Sequence, residues 1–199
     1  MLAVGLLLGA TGCKDYLKEV SISNITSDSY YTTQDGYEDL IRSCYPVLRG
    51  IIQQRQLVLL GTDIFSKNGW DSGNSGEALD TYDATLNATN GDLDNLWNLL
   101  YLEIGRANTA ITRAPDVTGM DKTLLDTRVG EAKFLRAFCY FYLVQQWGDI
   151  PMPVTETVSP SKDATKTAAA DVYTQIIKDL TDAEAALPVK ASDYGRATK

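Results

Sequence analysis

The chain has 199 residues, enough for one domain with a substantial hydrophobic core. Its composition, with 44% apolar and 22% charged residues, is typical of a globular protein, and its net charge of −8 argues against a nucleic-acid-binding surface. Because the sequence has no histidine, catalytic sites with a histidine base and most catalytic zinc sites are excluded.

Residues 1–12 form an apolar, uncharged segment that ends in small residues directly before Cys13. The segment is shorter than the roughly 20 apolar residues that span a bilayer, and it fits the apolar region of a secretory signal peptide. Ala10-Thr11-Gly12-Cys13 resembles a bacterial lipobox, in which the cysteine is lipidated and becomes the mature N-terminus. We interpret residues 1–12 as a lipoprotein signal peptide and 13–33 as a lipidated tether. The alternative is a buried N-terminal helix with an ordinary thiol at Cys13.

The remainder, residues 34–199, predicts one helical domain. Apolar residues recur at three- and four-residue steps in three segments and occupy nearly all sides of a fourth, which predicts a buried helix there. Pro46 lies inside the first pattern and is expected to kink or interrupt it. With no convincing strand pair, the predicted fold is all-α, with antiparallel helix pairs and long irregular loops. The four predicted helices cover residues 34–52, 93–111, 122–147 and 169–187.

The predicted buried helix carries a family motif. Residues 130–138 read GEAKFLRAF, Tyr140 and Phe141 follow, and residues 147–151 read WGDIP. Together with other pieces in the same order along the chain, this motif resembles the signature of the SusD/RagB family. The other pieces are Cys13-Lys14-Asp15, then Trp97, Tyr101, Ile104 and Ala107-Asn108, then Asp171-Val172-Tyr173, Asp179-Leu180 and Ala186-Leu187-Pro188, and finally 195–199 (GRATK).

The resemblance implies a fold of TPR-like helix pairs in a surface-exposed lipoprotein, held on the cell outer membrane by its lipid anchor. It implies a SusC-like TonB-dependent transporter as partner and the capture of oligosaccharides or polysaccharides, or of peptides in some members. It implies binding without catalysis. We also expect no cofactor and no metal site, and the acidic net charge argues against nucleic acid as a partner. Because such proteins continue well beyond the motif at Gly195, we expect the chain to be an N-terminal portion. The competing hypothesis is a helical scaffold that binds only protein or peptide.

A long polar segment holds the candidate ligand-binding residues. Residues 66–91 are rich in Gly, Asn, Asp, Ser and Thr, and connections of this length are often functional. Trp70 lies in this segment, where an aromatic face can stack on a sugar ring while neighbouring polar groups bind hydroxyls. We therefore predict that Trp70, with Asp63, Asn74 and Tyr82, contacts the ligand. The alternative is that Trp70 only pins the segment to the body.

Other conspicuous residues are interpreted as structural. Glu131 and Arg136 are expected to fix helix packing, and Arg128 and Glu131 are three residues apart, so that they can pair. Cys44 and Cys139 lie in apolar patterns that favour buried free thiols, with a disulfide as the alternative in an exported protein. Five aromatic residues at helical spacing are expected in the core rather than on a sugar-binding surface: Trp97, Phe138, Tyr140, Phe141 and Trp147.

Overall fold

The structure, a computed structural model, describes residues 26–53, 84, 86–159, 164–191 and 193–199. Within these ranges the chain is helical and has no strand, which confirms the predicted all-α fold. The helices are α1 (Ser27–Tyr30), α2 (Gln34–Gln53), α3 (Gly91–Arg113), α4 (Lys122–Trp147) and α5 (Ala169–Ala186). Helices α1 and α2 precede the long polar segment, and a 3-10 turn, Ala114–Asp116, follows α3.

The helix ends follow local capping rules. The Asn90 side chain accepts hydrogen bonds from the first turn of α3, and Asp121 does the same for α4. Thr33 accepts a 3.1 Å hydrogen bond from the Gly36 N–H at the start of α2. Gly148 has a φ of 68°, a conformation that favours glycine, and it ends α4. These signals explain why the predicted bounds lie within about two residues of the observed ones.

Helix α2 continues through Pro46, so of the two effects expected of this proline, a kink or an interruption, the interruption is wrong. Cys44 and Val47, on either side of the proline, are both buried against the rest of the bundle. Tertiary packing of this face offsets the hydrogen bond that a proline inside a helix removes. The local sequence pattern overestimates the effect of Pro46 because it carries no information on how the neighbouring helices pack against α2.

The four long helices pack as antiparallel neighbours. Tyr37 on α2 donates a 2.9 Å hydrogen bond to the Ala110 carbonyl near the end of α3. Trp97, near the start of α3, meets Trp147 at the end of α4 with ring centroids 5.1 Å apart. Gly130 on α4 lies so close to α5 that an added Cβ would be 2.9 Å from the Ala186 Cβ. A side chain at Gly130 would therefore force α4 and α5 apart.

The segment predicted as the tether is described from residue 26 onward. There Thr26 caps α1, and Arg113 at the end of α3 donates hydrogen bonds to the Ser27 carbonyl and to Asp28 at 2.6 and 2.7 Å. The Thr118 N–H also donates to the Thr32 carbonyl at 2.9 Å. Residues 26–33 thus lie against the helical body.

Two predictions about apolar faces need correction. Phe141 is expected in the core but is 42% exposed and does not pack against the core cluster, so neighbouring elements do not cover every side of α4. The apolar stripe predicted on α5 divides into a buried face and an exposed face. Its width exceeds what one neighbouring helix can cover. The buried face holds Val172, Ile176, Ala183 and Leu187, and the exposed face holds Tyr173, Ile177 and Leu180.

Arg136 forms the most deeply buried ion pair in the described part of the chain. Its guanidinium donates two hydrogen bonds, each 2.8 Å, to the two carboxylate oxygens of Asp179 on α5. It also donates to the Asn108 side chain on α3 and to the Val154 carbonyl. The side chains of Arg136 and Asp179 are 4% and 0% exposed. This bidentate pair joins α3, α4 and α5, in agreement with the structural role predicted for Arg136.

A second network joins α2 and α4 to the C-terminal segment. Arg128 donates to Glu131 and to Glu38, each at 2.6 Å, which confirms the predicted pairing of Arg128 and Glu131. Arg196 donates to the same two carboxylates at 2.9 Å, and the Tyr45 hydroxyl donates to Glu131. Two guanidinium groups and two carboxylates therefore balance in charge where water is largely excluded.

Glu103 on α3 is buried at the junction of α2, α3 and α4. It is fully buried, and within the described residues its carboxylate oxygens have no hydrogen-bond partner. Burial raises the pKa of Glu103 to about 8, and the nearby Cys44 thiol and Arg106 guanidinium lower it by less. Cys139 faces the same site from α4, and burial raises the pKa of both cysteine thiols. Both cysteines are free and buried, as the default reading predicted.

We predict that Asp179→Ala lowers the free energy of unfolding by about 3–5 kcal/mol, because it leaves the Arg136 charge buried without its partner. Urea denaturation of the full-length protein measures this effect. The matched control is Lys178→Ala, which removes the exposed end of the Lys178–Asp182 pair and should change stability by only about 0.5 kcal/mol. Equal effects of the two substitutions would contradict a central role for the buried pair.

We predict that Glu103 makes the protein less stable as the pH rises. The pKa of Glu103 is about 8 in the folded state and 4.5 in the reference state. Between these values the folded state binds a proton that the unfolded state has lost. The stabilisation is therefore complete below about pH 4.5 and is lost as the pH rises through 8.

Glu103→Gln should remove most of the resulting difference of roughly 2–5 kcal/mol between pH 5 and pH 9. Glu184→Gln on the exposed side of α5 is the control and should keep the wild-type slope. Unfolding free energies at the two pH values measure the difference. An unchanged slope in Glu103→Gln would show that Glu103 does not titrate in this range.

Candidate functional site

The residues predicted from sequence to bind ligand or lipid lie outside the described residues. These are Cys13, Asp63, Trp70, Asn74 and Tyr82. Their roles remain predictions. The described helices that flank the long polar segment end at Gln53 and begin again at Gly91, at the same end of the antiparallel pair formed by α2 and α3.

An aromatic groove lies near that end of the bundle. Trp97 and Tyr101 are one helical turn apart on α3, with ring centroids 4.7 Å apart, and the Trp147 ring meets Trp97 edge-on. All three rings are partly buried and pack against the core on one side. On the other side, Trp97 and Tyr101 line a groove of about 540 Å³. This volume is within the usual range for small-molecule sites.

The opposite wall of the groove is a strap, residues 150–156, that follows α4. The Tyr101 hydroxyl donates to the Pro151 carbonyl at 2.6 Å. The Asn108 amide and the Tyr140 hydroxyl donate to the Pro153 carbonyl at 2.8 and 2.5 Å. Further along, Arg113 donates to both carboxylate oxygens of Glu156. These side chains from α3 and α4, together with Arg136, which donates to the Val154 carbonyl, hold the strap on the bundle.

The strap is also fixed from its other side. Ile150 and Thr167 exchange two backbone hydrogen bonds of 3.2 and 2.8 Å, which bring residues 164–167 against the start of the strap. Ala164 and Thr165 are exposed there and line the groove together with Met152 and Thr167. The groove therefore combines aromatic and thioether surface with threonine hydroxyls on a well-supported backbone.

The chemistry of this groove differs from that of the other depressions in the described part of the chain. None of its described lining residues is charged. A depression of about 840 Å³ contains Arg42, Arg49 and Arg196, and another of about 540 Å³ is lined by Asp35, Glu38 and Asp39 among others. Only the aromatic groove, among these three, offers the apolar faces and neutral hydroxyls that suit an uncharged polar ligand.

Sequence reasoning missed this groove because it assigned Trp97 and Trp147 to the core. Trp97 and Trp147 do pack against the core, but both side chains are only partly buried, so a part of each ring stays accessible. The spacing of Trp97 and Tyr101 shows that they share a helix face, but not that residues 150–156 and 164–167 leave a space beside it. The available signal was the pair of prolines, Pro151 and Pro153, which predicts extended backbone after α4.

Two other functional possibilities can be examined in the described residues. No helix there is long and apolar enough to cross a membrane. No group of three or more metal-ligand side chains in that part of the chain is arranged to hold a metal ion.

Comparison with known proteins assigns the chain to a family. Residues 15–199 match the SusD-like profile described as "Starch-binding associating with outer membrane". The chain belongs to the SusD-like family. This confirms the resemblance seen in the GEAKFLRAF and WGDIP motifs and places the chain in a carbohydrate-binding family associated with the outer membrane.

Individual relatives agree with this assignment. SusD-like protein P2 of Formosa agariphila is 31% identical over 92% of this chain. A SusD superfamily structure from Parabacteroides distasonis superposes with a TM-score of 0.72 at 21% identity over 88% of this chain and 37% of that one, which supports the fold. A laminarin-binding SusD-like protein superposes with a TM-score of 0.69 at 28% identity, covering 84% of this chain and 38% of that one.

The SusD-like chain described here spans 37% of the length of protein P2 from Formosa agariphila. It spans 36% of the length of a SusD-like protein from Bacteroides ovatus, which is 25% identical over the whole of this chain. The comparisons therefore concern a little over one third of the length of these relatives.

Proposed function

We propose that this SusD-like protein captures oligosaccharides at the cell surface and passes them to a SusC-like TonB-dependent transporter in the outer membrane. The observation that carries the proposal is the family match over residues 15–199. The laminarin-binding protein that shares the fold at 28% identity supports a glycan as the ligand class. The proposed role is binding and transfer without a chemical reaction.

The aromatic groove supports the same ligand class. Sugars combine apolar C–H faces with many hydroxyls, and they bind well where aromatic rings adjoin hydrogen-bonding groups. Trp97 and Tyr101 supply the rings, and Thr165 and Thr167 supply hydroxyls. A peptide ligand would be expected to use main-chain pairing or charged contacts, and the described lining residues of this groove offer no charge.

A binding panel tests the proposal. Isothermal titration of the full-length protein against laminarin, starch and a mixed peptide pool should give saturable binding to at least one polysaccharide. Co-purification from detergent-solubilised outer membranes should recover a TonB-dependent transporter with it. Saturable binding to peptides alone would contradict glycan capture, and recovery without a transporter would contradict the proposed partnership.

We predict that Cys13 is the lipidated N-terminus of the mature protein. The apolar segment 1–12 ends in Ala10-Thr11-Gly12 directly before it. Because two or more acyl chains anchor a protein far better than one, Cys13→Ser should move the protein from the membrane fraction to the soluble fraction. Cys44→Ser, at a buried thiol, should leave the membrane association unchanged. If Cys13→Ser fractionates like the wild type, the cysteine is not the anchor.

We predict that Trp70, with Asp63, Asn74 and Tyr82, contacts the glycan. Trp70→Ala should weaken binding by roughly tenfold, equivalent to about 1.4 kcal/mol, and should leave the melting temperature nearly unchanged. Phe138→Ala is the control, because its ring packs against the core and against Tyr142, away from the groove, so its loss should lower the melting temperature and leave the glycan affinity unchanged. Normal binding by Trp70→Ala, or a loss of stability, would identify Trp70 as a structural pin.

A further inference from the structure

We infer that the groove between α3 and the strap is a glycan-binding subsite selective for uncharged sugar chains, with Trp97 and Tyr101 as its stacking surface. This inference rests on the proposed function, because it presupposes that the protein binds a glycan. It adds a location among the described residues, which does not follow from membership of the SusD-like family. The neutral ligand class agrees with the starch-binding description of that family.

The stacking surface is held in place before any ligand arrives. Trp97 is fixed by its contacts with Trp147 and Tyr101, at 5.1 and 4.7 Å between ring centroids. The Tyr101 hydroxyl is held by the Pro151 carbonyl at 2.6 Å. Rings that are already oriented lose little conformational entropy when a sugar stacks on them. The surface therefore suits ligand binding better than an equally apolar but mobile patch.

Threonine residues also line the groove. Thr157, Thr165 and Thr167 line the groove with Met152 and Pro153. A threonine hydroxyl both donates and accepts, so it can pair with a sugar hydroxyl in either orientation. The Thr167 backbone is paired with Ile150, which keeps this wall at a fixed distance from α3.

The described lining residues of the groove carry no charge, which favours a neutral ligand. A uronate or sulfate group placed in the groove would lose hydration without gaining a cationic partner, and burying such a charge unpaired is costly. Charged depressions occur elsewhere on the described surface, including one with Arg42, Arg49 and Arg196. The aromatic groove therefore suits neutral chains such as glucans rather than acidic ones.

Filling the groove gives the sharpest test. Ala164 is exposed and lines the groove, so Ala164→Trp should occupy part of its volume without disturbing the core. Ala185→Trp adds the same side chain at an exposed position on α5 and is the matched control. A milder variant, Thr165→Ala, removes one exposed hydroxyl, and Thr181→Ala on α5 is its control.

The full-length variants are titrated with laminarihexaose, maltohexaose and a galacturonate hexamer, and their melting temperatures are measured. We expect a neutral hexasaccharide to bind the wild type better than the acidic one. Ala164→Trp should weaken neutral binding by about tenfold or more, and Thr165→Ala by about fivefold, the effect of losing one hydrogen bond. Both controls should bind normally, and all four melting temperatures should stay close to that of the wild type.

Four results would overturn the inference. Neutral binding that is normal in both Ala164→Trp and Thr165→Ala would place the glycan elsewhere and leave the proposed function intact. Preferential binding of the galacturonate hexamer, sensitive to the same variants, would reject the ligand class. Misfolding of Ala164→Trp would show that the groove has no free space at Ala164. Together with normal binding by Thr165→Ala, it would show that the glycan does not bind there. If the wild type binds no glycan at all, the proposed function fails as well.

Discussion

The buried guanidinium of Arg136 is the constraint on which the described fold most depends. It lies on α4 and bonds to Asn108 on α3, to Asp179 on α5 and to the Val154 carbonyl of the strap. A buried cation is tolerated only when its donors are satisfied, so these four elements must adopt one arrangement. The side chain thus sets the separation of the helices and the path of the strap together.

That constraint connects the family motif to the groove. The strap continues from Val154 back to Pro151 and Pro153, whose carbonyls accept hydrogen bonds from Tyr101, Asn108 and Tyr140. Since the strap is one wall of the groove, residues that touch no ligand still determine the width of the groove. The second network, around Glu131 and Arg196, fixes the C-terminal segment on the opposite side of α4. The charged residues of the motif fix the positions of the helices and the strap, and the neutral residues of the groove are the ones proposed to bind the glycan.

The parts of this architecture that depend on local chemistry could be predicted from the sequence. Helix bounds followed from periodicity, and the pairing of Arg128 with Glu131 followed from their spacing. The exposure of Phe141, the exposed face of α5 and the continuity of α2 through Pro46 depend on which neighbour covers each face. The groove depends on contacts between residues about 50 positions apart, such as Tyr101 and Pro151, and periodicity carries no information about such contacts.

The most direct test of the central claim is a crystal structure of the full-length protein soaked with a neutral hexasaccharide that it binds in solution. The account predicts a sugar ring stacked on Trp97 or Tyr101, with hydroxyls hydrogen-bonded to Thr165 or Thr167, and with Arg136 still paired with Asp179. A sugar bound at a distant surface while the groove is filled by the protein's own side chains would contradict the account.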